Sequence, residues 1–461
     1  MSMAGRVFYV GTAREVAHHA RPLQPWLDVV VVEPDTVVDA ARPGDVAVFY
    51  SEHFDRFRSA CVALRQQNVA TVYAVDGILE WRNAWENRAD EIACPWTMRP
   101  CLSHVVATIG PRQTSILHSW GNANCVPIGL PRLDELGISF SKKHSDIGNT
   151  NDGLVAESRA AESPSAKFRV LVLTAKCPGF TEDQVETTYR SLVALREVVA
   201  QNPMIDGREV ELVWRLTGDL DERLGVSNNS LDPLAVPESS GLPDVLARVD
   251  AVIATPSTAQ LESMLMDRPV ATLDFHNTPI YADTVFRISA PEHVRPTLEQ
   301  LAKFSSSPAQ QATQKFLLQE NLLTDGQATK RMSELLRWMQ AQSLSAHESG
   351  RSLELDVADV LTRLSYASNE PQQIFWELRN ARVKCDADGT SLSLAQWQAY
   401  TEQLERENRR LSQLVSEAHE VFDNLHGHPV WGTLLKSHEW WIRLWQGDTG
   451  KLAKPNSWKE P

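Results

Sequence analysis

Short apolar runs alternate with amphipathic segments along the first part of the chain. Each run is almost continuous in its apolar character, which is typical of strands buried on both faces of a parallel sheet. The predicted strands are 7–10, 29–32, 46–50, 70–75 and 104–109, with amphipathic segments such as 59–67 between them. Strand–helix alternation of this kind predicts a doubly wound α/β domain over residues 1–138.

A second α/β alternation begins near residue 168. Its predicted strands are 168–175, 210–216, 250–257 and 269–275, and its predicted helices are 183–200, 243–249 and 259–266, followed by helical character over 296–343. The pattern predicts a second Rossmann-like domain over 167–343. Residues 139–166 are polar and lack either period, so we interpret them as a flexible linker. Two such domains place a ligand cleft between them, lined by loops at the carboxyl ends of the strands.

The part of the chain after residue 343 has a different pattern. We interpret residues 344–390 as a helical connector and residues 391–427 as a coiled coil that joins copies of the chain. The proposed a positions are Leu394, Thr401, Asn408, Val415 and Phe422, and the d positions are Trp397, Leu404, Leu411, Ala418 and Leu425. A single Asn at an a position fixes register and strand number in coiled coils. The alternative is a solvated helix that packs on the rest of the protein.

The final segment, 428–461, is rich in tryptophan. Trp431, Trp440, Trp441 and Trp445 all lie within 428–447. Indole rings favour the interface between membrane and water, so this segment is a candidate for peripheral membrane contact. Docking of the same rings on protein is the alternative.

Composition narrows the function classes. A net charge of −14 argues against nucleic-acid binding, which needs a basic surface. The six cysteines show no CxxC spacing, which is typical of free thiols in a reducing compartment. The first residues have no signal-peptide hydrophobic region, and no apolar stretch is long enough to span a bilayer. We therefore expect a cytoplasmic protein, at most attached to the inner face of a membrane.

The stretch DAVIATPSTAQLESMLMDRP (250–269) is the strongest candidate for a binding site. A predicted strand is followed by hydroxyl residues, Ser257 and Thr258, that open a helix, and such a helix start favours a diphosphate. Glu262, one turn further, can accept hydrogen bonds from ribose hydroxyls. In the alternative interpretation the hydroxyls only cap the helix and Glu262 is solvated.

This stretch is similar to the signature of the C-terminal domain of GT-B-fold glycosyltransferases. Two more stretches, AVDGILEWRN (74–83) and GPRQTSILHSWGNANCVPIGLPRLDEL (110–136), resemble bacterial surface-polysaccharide transferases of that superfamily. The resemblance spans roughly residues 70–290. It implies a GT-B-like fold with an interdomain cleft, a nucleotide-sugar donor as substrate, a glycan or lipid-linked acceptor, and no obligatory metal or cofactor.

Further candidates follow other predicted strands. Lys176 and Gly179 lie in the loop after the first strand of the second domain, and Arg215 ends the next strand. Lysine and arginine side chains at these places suit a diphosphate, and glycine permits close backbone approach. The alternative is that they are ordinary surface or strand-end residues that bind no ligand.

An inverting transfer also needs a base for the acceptor hydroxyl. Asp76 ends a predicted buried strand and is our candidate, with capping of the next helix as the alternative. Gly77 would leave room for substrate, and Glu80, Arg82 and Asn83 would contact acceptor or donor oxygens.

The sequence therefore predicts a glycosyltransferase. Two rival classes stay open. One is another GT-B-fold enzyme, either a nucleotide-sugar epimerase or a polyol-phosphate transferase. The other is a non-catalytic scaffold in which the coiled coil and the tryptophan-rich tail carry the function.

Overall fold

The computed structural model describes residues 5–86, 98–138, 167–226, 241–276, 278–364 and 366. By compactness the chain divides into two units, Met1–Arg379 and Asn380–Pro461. All described residues belong to the first unit. The predicted linker 139–166, coiled coil 391–427 and tail 428–461 lie outside them and remain predictions.

The first sheet has six parallel strands in the order β2-β1-β3-β4-β5-β6. Its strands are β1 (Val7–Val10), β2 (Val29–Val32), β3 (Val46–Phe49), β4 (Ala70–Ala74), β5 (Val105–Thr108) and β6 (Cys125–Pro127). Most of these positions are buried, since apolar clusters cover both faces of the sheet. The near-continuous apolar runs in the sequence have this origin.

Four helices between the strands of the first sheet lie in the described ranges. They are α1 (Ala13–Ala20), α2 (Pro34–Ala40), α3 (Asp55–Gln66) and α4 (Pro111–Ser119). A capping box starts α1: the Thr12 side chain accepts from the Glu15 N–H, and Glu15 accepts from the Thr12 N–H. Proline at the first helical position starts α2 and α4.

The second sheet also has six strands, in the order β12-β11-β10-β7-β9-β8, and only β8 runs antiparallel to its neighbour. Its strands are β7 (Lys167–Leu173), β8 (Met204–Ile205), β9 (Arg208–Arg215), β10 (Ala251–Ala254), β11 (Val270–Leu273) and β12 (Phe286–Ile288). The helices that pack on it are α5 (Glu182–Gln201), α6 (Leu220–Leu224), α7 (Leu242–Leu246), α8 (Ala259–Leu265), α9 (Pro291–Lys303) and α10 (Pro308–Asn321). The two sheets confirm the predicted pair of Rossmann-like α/β domains.

The chain then returns to the first sheet. Helix α11 (Ala328–Glu348) and helix α12 (Ala358–Arg363) follow α10. Met332, Leu335 and Met339 of α11 are buried with Val7 and Val46 of the first sheet in one apolar cluster. The boundary predicted at residue 343 therefore falls inside a helix that belongs to the core of the first domain. Below, the first half means residues 5–138 with α11 and α12, and the second half means 167–321.

The two halves share an apolar core. Ile109, Leu130 and Leu133 of the first half are buried in the same cluster as Leu261 and Leu322. Helix α10 contacts both α8 and α4. The carboxyl edges of the two sheets are thereby held facing one another, as far as the described residues show. Within these ranges, no helix has the length and apolar character needed to cross a bilayer.

Candidate functional site

Two polar atoms at the carboxyl edge of the second sheet are buried without a hydrogen-bond partner among the described residues. They are Nη1 of Arg215, at the end of β9, and Oγ of Ser257, in the loop after β10. Strands β9 and β10 flank β7, so the two groups lie on either side of the central strand. A buried polar group without a partner costs about 1–3 kcal/mol, and such a group calls for a ligand or water.

Threonine hydroxyls fix the loops of this edge. The Ala175 N–H, just after β7, donates to Thr255 Oγ1 at 2.7 Å. The Thr217 N–H, just after β9, donates to Thr174 Oγ1 at 2.9 Å. The three strand ends are therefore tied together, which holds the edge rigid around Arg215.

The hydroxyl of Thr258 makes a different contact from the diphosphate contact or helix cap considered from the sequence. It precedes α8, which has only seven residues, and its side chain makes no capping bond. Its Oγ1 instead accepts a hydrogen bond from the Ile78 N–H of the first half at 3.3 Å. Thr258 thus joins the two halves, and Ser257 is the hydroxyl that stays available.

Glu262 pairs with a residue that the sequence prediction did not assign a role. Arg132, in the 3-10 turn Pro131–Leu133 of the first half, donates from Nη1 to Glu262 Oε1 at 2.5 Å. The pair is largely shielded, with side-chain exposures of 23% for Arg132 and 12% for Glu262. The carboxylate predicted to bind ribose therefore already holds a partner from the opposite half.

Asp76 lies just beyond β4 with its side chain open to solvent. The surrounding protein nevertheless removes part of its hydration and raises its pKa, while the positive charges of Arg132, His18 and Lys176 oppose that rise. Lys176 comes from the second half and the other two from the first. Burial lowers the pKa of His18, so Arg132 from the first half and Lys176 from the second are the charges that matter beside the candidate base at neutral pH.

Lys176 reaches the first half. It is exposed in the loop after β7. The Thr12 backbone hydrogen bond is the main reason that the Glu15 pKa is lowered, and the Lys176 charge adds to that effect; the same charge opposes the rise of the Asp76 pKa. Gly179 of the same loop packs against α5: a Cβ there would lie 2.5 Å from the Val185 backbone nitrogen. Helix packing alone requires this glycine, so a phosphate role for it has no geometric support.

Gly77 is required by contact between the halves. A Cβ at this position would lie 1.9 Å from Thr258 Oγ1, and the Gly77 carbonyl accepts from Gln113 Nε2 at 2.8 Å. The prediction that Gly77 leaves room for substrate is therefore wrong, because Thr258 fills that space.

Arg82 is a structural residue rather than an open substrate contact. It is 2% exposed, pairs with Glu80, and donates to the Pro178 carbonyl at 3.2 Å and to His276 Nε2 at 2.9 Å. Burial is the main reason that the His276 pKa is lowered to about 4, so the neutral ring accepts this bond near pH 7. Burial also raises the Glu80 pKa.

The roles predicted for Arg82 and Glu80 thus give way to a buried link between the halves. Asn83 lies half-buried in the π-helical segment Arg82–Glu86. Nothing in that segment tests its predicted substrate contact.

An aromatic cluster and an ion pair also join the halves. Trp85 stacks on Trp81 with ring centroids 5.1 Å apart, and its Nε1 donates to the Tyr281 hydroxyl at 3.1 Å. Arg112 pairs with Asp283 at 2.7 Å. These contacts add to those that hold the two halves together.

Sequence reasoning missed Arg132 and two histidines beside the cleft. The His18 and His19 rings lie 3.8 Å apart, and His19 stacks on Tyr50 at 4.2 Å. Burial lowers the pKa of His19 to about 3. Arg132 lies within 110–136, a stretch that the sequence analysis used only for the resemblance and without assigning a role to this residue. An adjacent histidine pair on a short helix carries no motif, so no pattern identified it.

The described residues contain no group of three metal-ligating side chains placed to hold an ion. Among the described cysteines, Cys61, Cys101 and Cys177 carry free thiols.

Comparison with known proteins gives fold-level likeness only. No protein-family model matches the sequence, and no curated protein matches it. Among solved structures, MnaA from S. aureus with UDP is 11% identical, with a TM-score of 0.42 over 73% of this chain and 96% of that chain. Wall teichoic acid polymerase TagF is 11% identical, with a TM-score of 0.45 over 74% and 90%.

A third similar structure is UDP-GlcNAc 2-epimerase from Neisseria meningitidis bound to UDP-GlcNAc. It is 12% identical, with a TM-score of 0.43 over 72% of this chain and 99% of that chain. Likenesses this distant do not assign a function. The two Rossmann-like halves and the polar edge between them are properties of this chain itself.

Proposed function

We propose that the chain is a nucleotide-sugar-dependent glycosyltransferase that passes a sugar to a glycan or lipid-linked acceptor of a bacterial surface polysaccharide. The observation that carries the proposal is a pair of buried atoms at the second sheet that have no partner among the described residues, Arg215 Nη1 and Ser257 Oγ. Phosphate oxygens accept hydrogen bonds from both guanidinium and hydroxyl groups. A donor diphosphate at this edge would satisfy both, with Lys176 adding a charge from the next loop.

The opposite face of the cleft supplies a base. Asp76 is open to solvent, so an acceptor can reach it, and its raised pKa makes it a stronger proton acceptor than an ordinary aspartate. Arg132 and Lys176 beside it would offset the charge that develops on the departing diphosphate. In this proposal the second half holds the donor and the first half activates the acceptor.

Donor binding is the first test. Thermal shifts with UDP, GDP, CDP and dTDP should show one selective stabilisation, about 2.7 kcal/mol at 100 times the dissociation constant. Arg215→Gln should weaken that binding about tenfold or more, since a charged hydrogen bond is lost, and Ser257→Ala should weaken it less.

Arg208→Gln is the matched control, because Arg208 lies at the opposite end of the same strand β9. Its binding should equal that of the wild type. A well-folded protein that responds to no nucleotide would refute the donor site and favour the scaffold alternative. Product analysis with the selected donor would then separate sugar transfer from epimerisation and from polyol-phosphate transfer.

A further inference from the structure

The ion pair between Arg132 and Glu262 spans the cleft at the place where the proposed donor would put its ribose. Both side chains are mostly shielded, and their closest atoms are 2.5 Å apart. Glu262 is the only acidic residue in the first turn of α8. A ribose that hydrogen-bonds to this carboxylate must therefore compete with a guanidinium from the other half.

Arg132 is held firmly in this position. Its 3-10 turn is followed by Asp134, whose carboxylate accepts from the Ala328 N–H at 2.9 Å and from the Thr329 N–H at 2.7 Å. The turn is thereby attached to the start of α11. Because Arg132 is fixed by the first half and Glu262 by the second, their contact depends on how the halves meet.

Arg132 also has binding capacity left over. Its Nε is buried without a hydrogen-bond partner among the described residues, and its charge acts on Asp76 and His18. When a ribose hydrogen-bonds to Glu262, the guanidinium therefore has other anionic or polar neighbours with which it can interact.

We propose that Arg132 determines how much the ribose hydroxyls contribute to nucleotide affinity. It masks the Glu262 carboxylate by pairing with it, and the hydroxyls of a nucleoside diphosphate must displace it. This inference rests on the proposed function, because it requires a nucleotide in the cleft. Arg132 affects the ribose through Glu262, and in this role it is a positioning residue for the donor.

The test compares UDP with 2′,3′-dideoxy-UDP by titration calorimetry. The ratio of their dissociation constants, dideoxy over ribose form, measures how much the hydroxyls contribute. In the wild type this hydroxyl preference should be small, because displacing Arg132 offsets the new bonds. Arg132→Gln should raise it about fivefold, the upper range for a partly exposed ion pair. Arg132→Lys should stay near the wild-type value, since it keeps the charge.

Arg112→Gln is the matched control. It breaks the other ion pair between the halves, with Asp283, and should leave the hydroxyl preference unchanged. Glu262→Gln should reduce the preference to near unity with or without Arg132. Near-ultraviolet circular dichroism confirms that each variant is folded.

Three results are decisive against the inference. An unchanged preference in Arg132→Gln means that Arg132 does not mask Glu262. An equal rise in Arg112→Gln means that loosening of the halves, and not the mask, is responsible. A preference that stays raised when Glu262→Gln is combined with Arg132→Gln means that this carboxylate does not bind the hydroxyls. If folded wild type binds neither ligand, while GDP, CDP and dTDP also fail, the proposed function itself is wrong; if only another nucleotide binds, the same comparison with that nucleotide and its dideoxy form applies the same three criteria.

Discussion

At the scale of residues, the pKa of Asp76 is set by its surroundings at the end of β4. Loss of hydration raises its pKa, and the cations around it only partly counteract this effect. Since the folded pKa lies above the unfolded one, the protonated form is favoured by folding. The stability that protonated Asp76 contributes is fully present below the unfolded pKa, about 3.9. It is lost as the pH rises through the folded pKa.

Asp76→Asn should therefore lower activity and raise stability at neutral pH. Loss of the base should reduce kcat/KM about 100-fold or more. The Tm should exceed that of the wild type at pH 7, and the difference should vanish below about pH 4. Asp35→Asn, an exposed position on α2, is the control. A variant with full activity, or one less stable than wild type at pH 7, would contradict the assignment.

The candidate residues also show what a pattern cannot distinguish. Ser257 and Arg215 were identified from their places at the ends of predicted strands, and both have a buried atom without a partner among the described residues. Gly77 and Arg82 occupy equivalent places after a strand, but contacts with the second half engage them. A strand-end position predicts proximity to the cleft. It does not reveal whether the other half has filled the space.

At the scale of elements, α11 depends on a cap from a distant part of the chain. Its own N-cap residue, Gln327, makes no side-chain capping bond, and Asp134 instead accepts from the first two N–H groups. The buried Arg331 adds a bidentate pair with Asp325 at 2.6 and 2.8 Å and donates to the Ile128 carbonyl. These bonds fix the start of α11 to the end of the first sheet.

Asp134→Ala should lower the free energy of unfolding by about 1–2 kcal/mol, the usual cost of a lost cap. Urea unfolding followed by circular dichroism measures it. Asp134→Asn keeps one acceptor oxygen and should lose less. Equal losses in the two variants, or no loss in either, would show that the cap is not what stabilises this junction.

At the scale of the whole molecule, Met1–Arg379 is a compact unit that contains every described residue of both halves. Its two sheets share an apolar cluster, and its last helices return to the first sheet. Every residue assigned above to the fold and to the proposed donor site lies in this unit. The coiled coil predicted over 391–427 would join copies of the chain.

A chain ending at Arg379 should keep the Tm and the nucleotide response of the full-length protein, and light scattering should show fewer subunits. An unchanged number of subunits would contradict the predicted coiled coil. Loss of the folded state would show instead that residues after Arg379 contribute to the core.

The sequence by itself determined the two α/β alternations, because strands buried on both faces must be apolar throughout, and this pattern is local. It also located the polar residues that follow those strands. The tertiary structure decided the return of α11 to the first sheet, the pairing of Arg132 with Glu262, and the filling of the space at Gly77. Each of these depends on contacts between segments far apart in the chain, which leave no periodic signal in either segment alone.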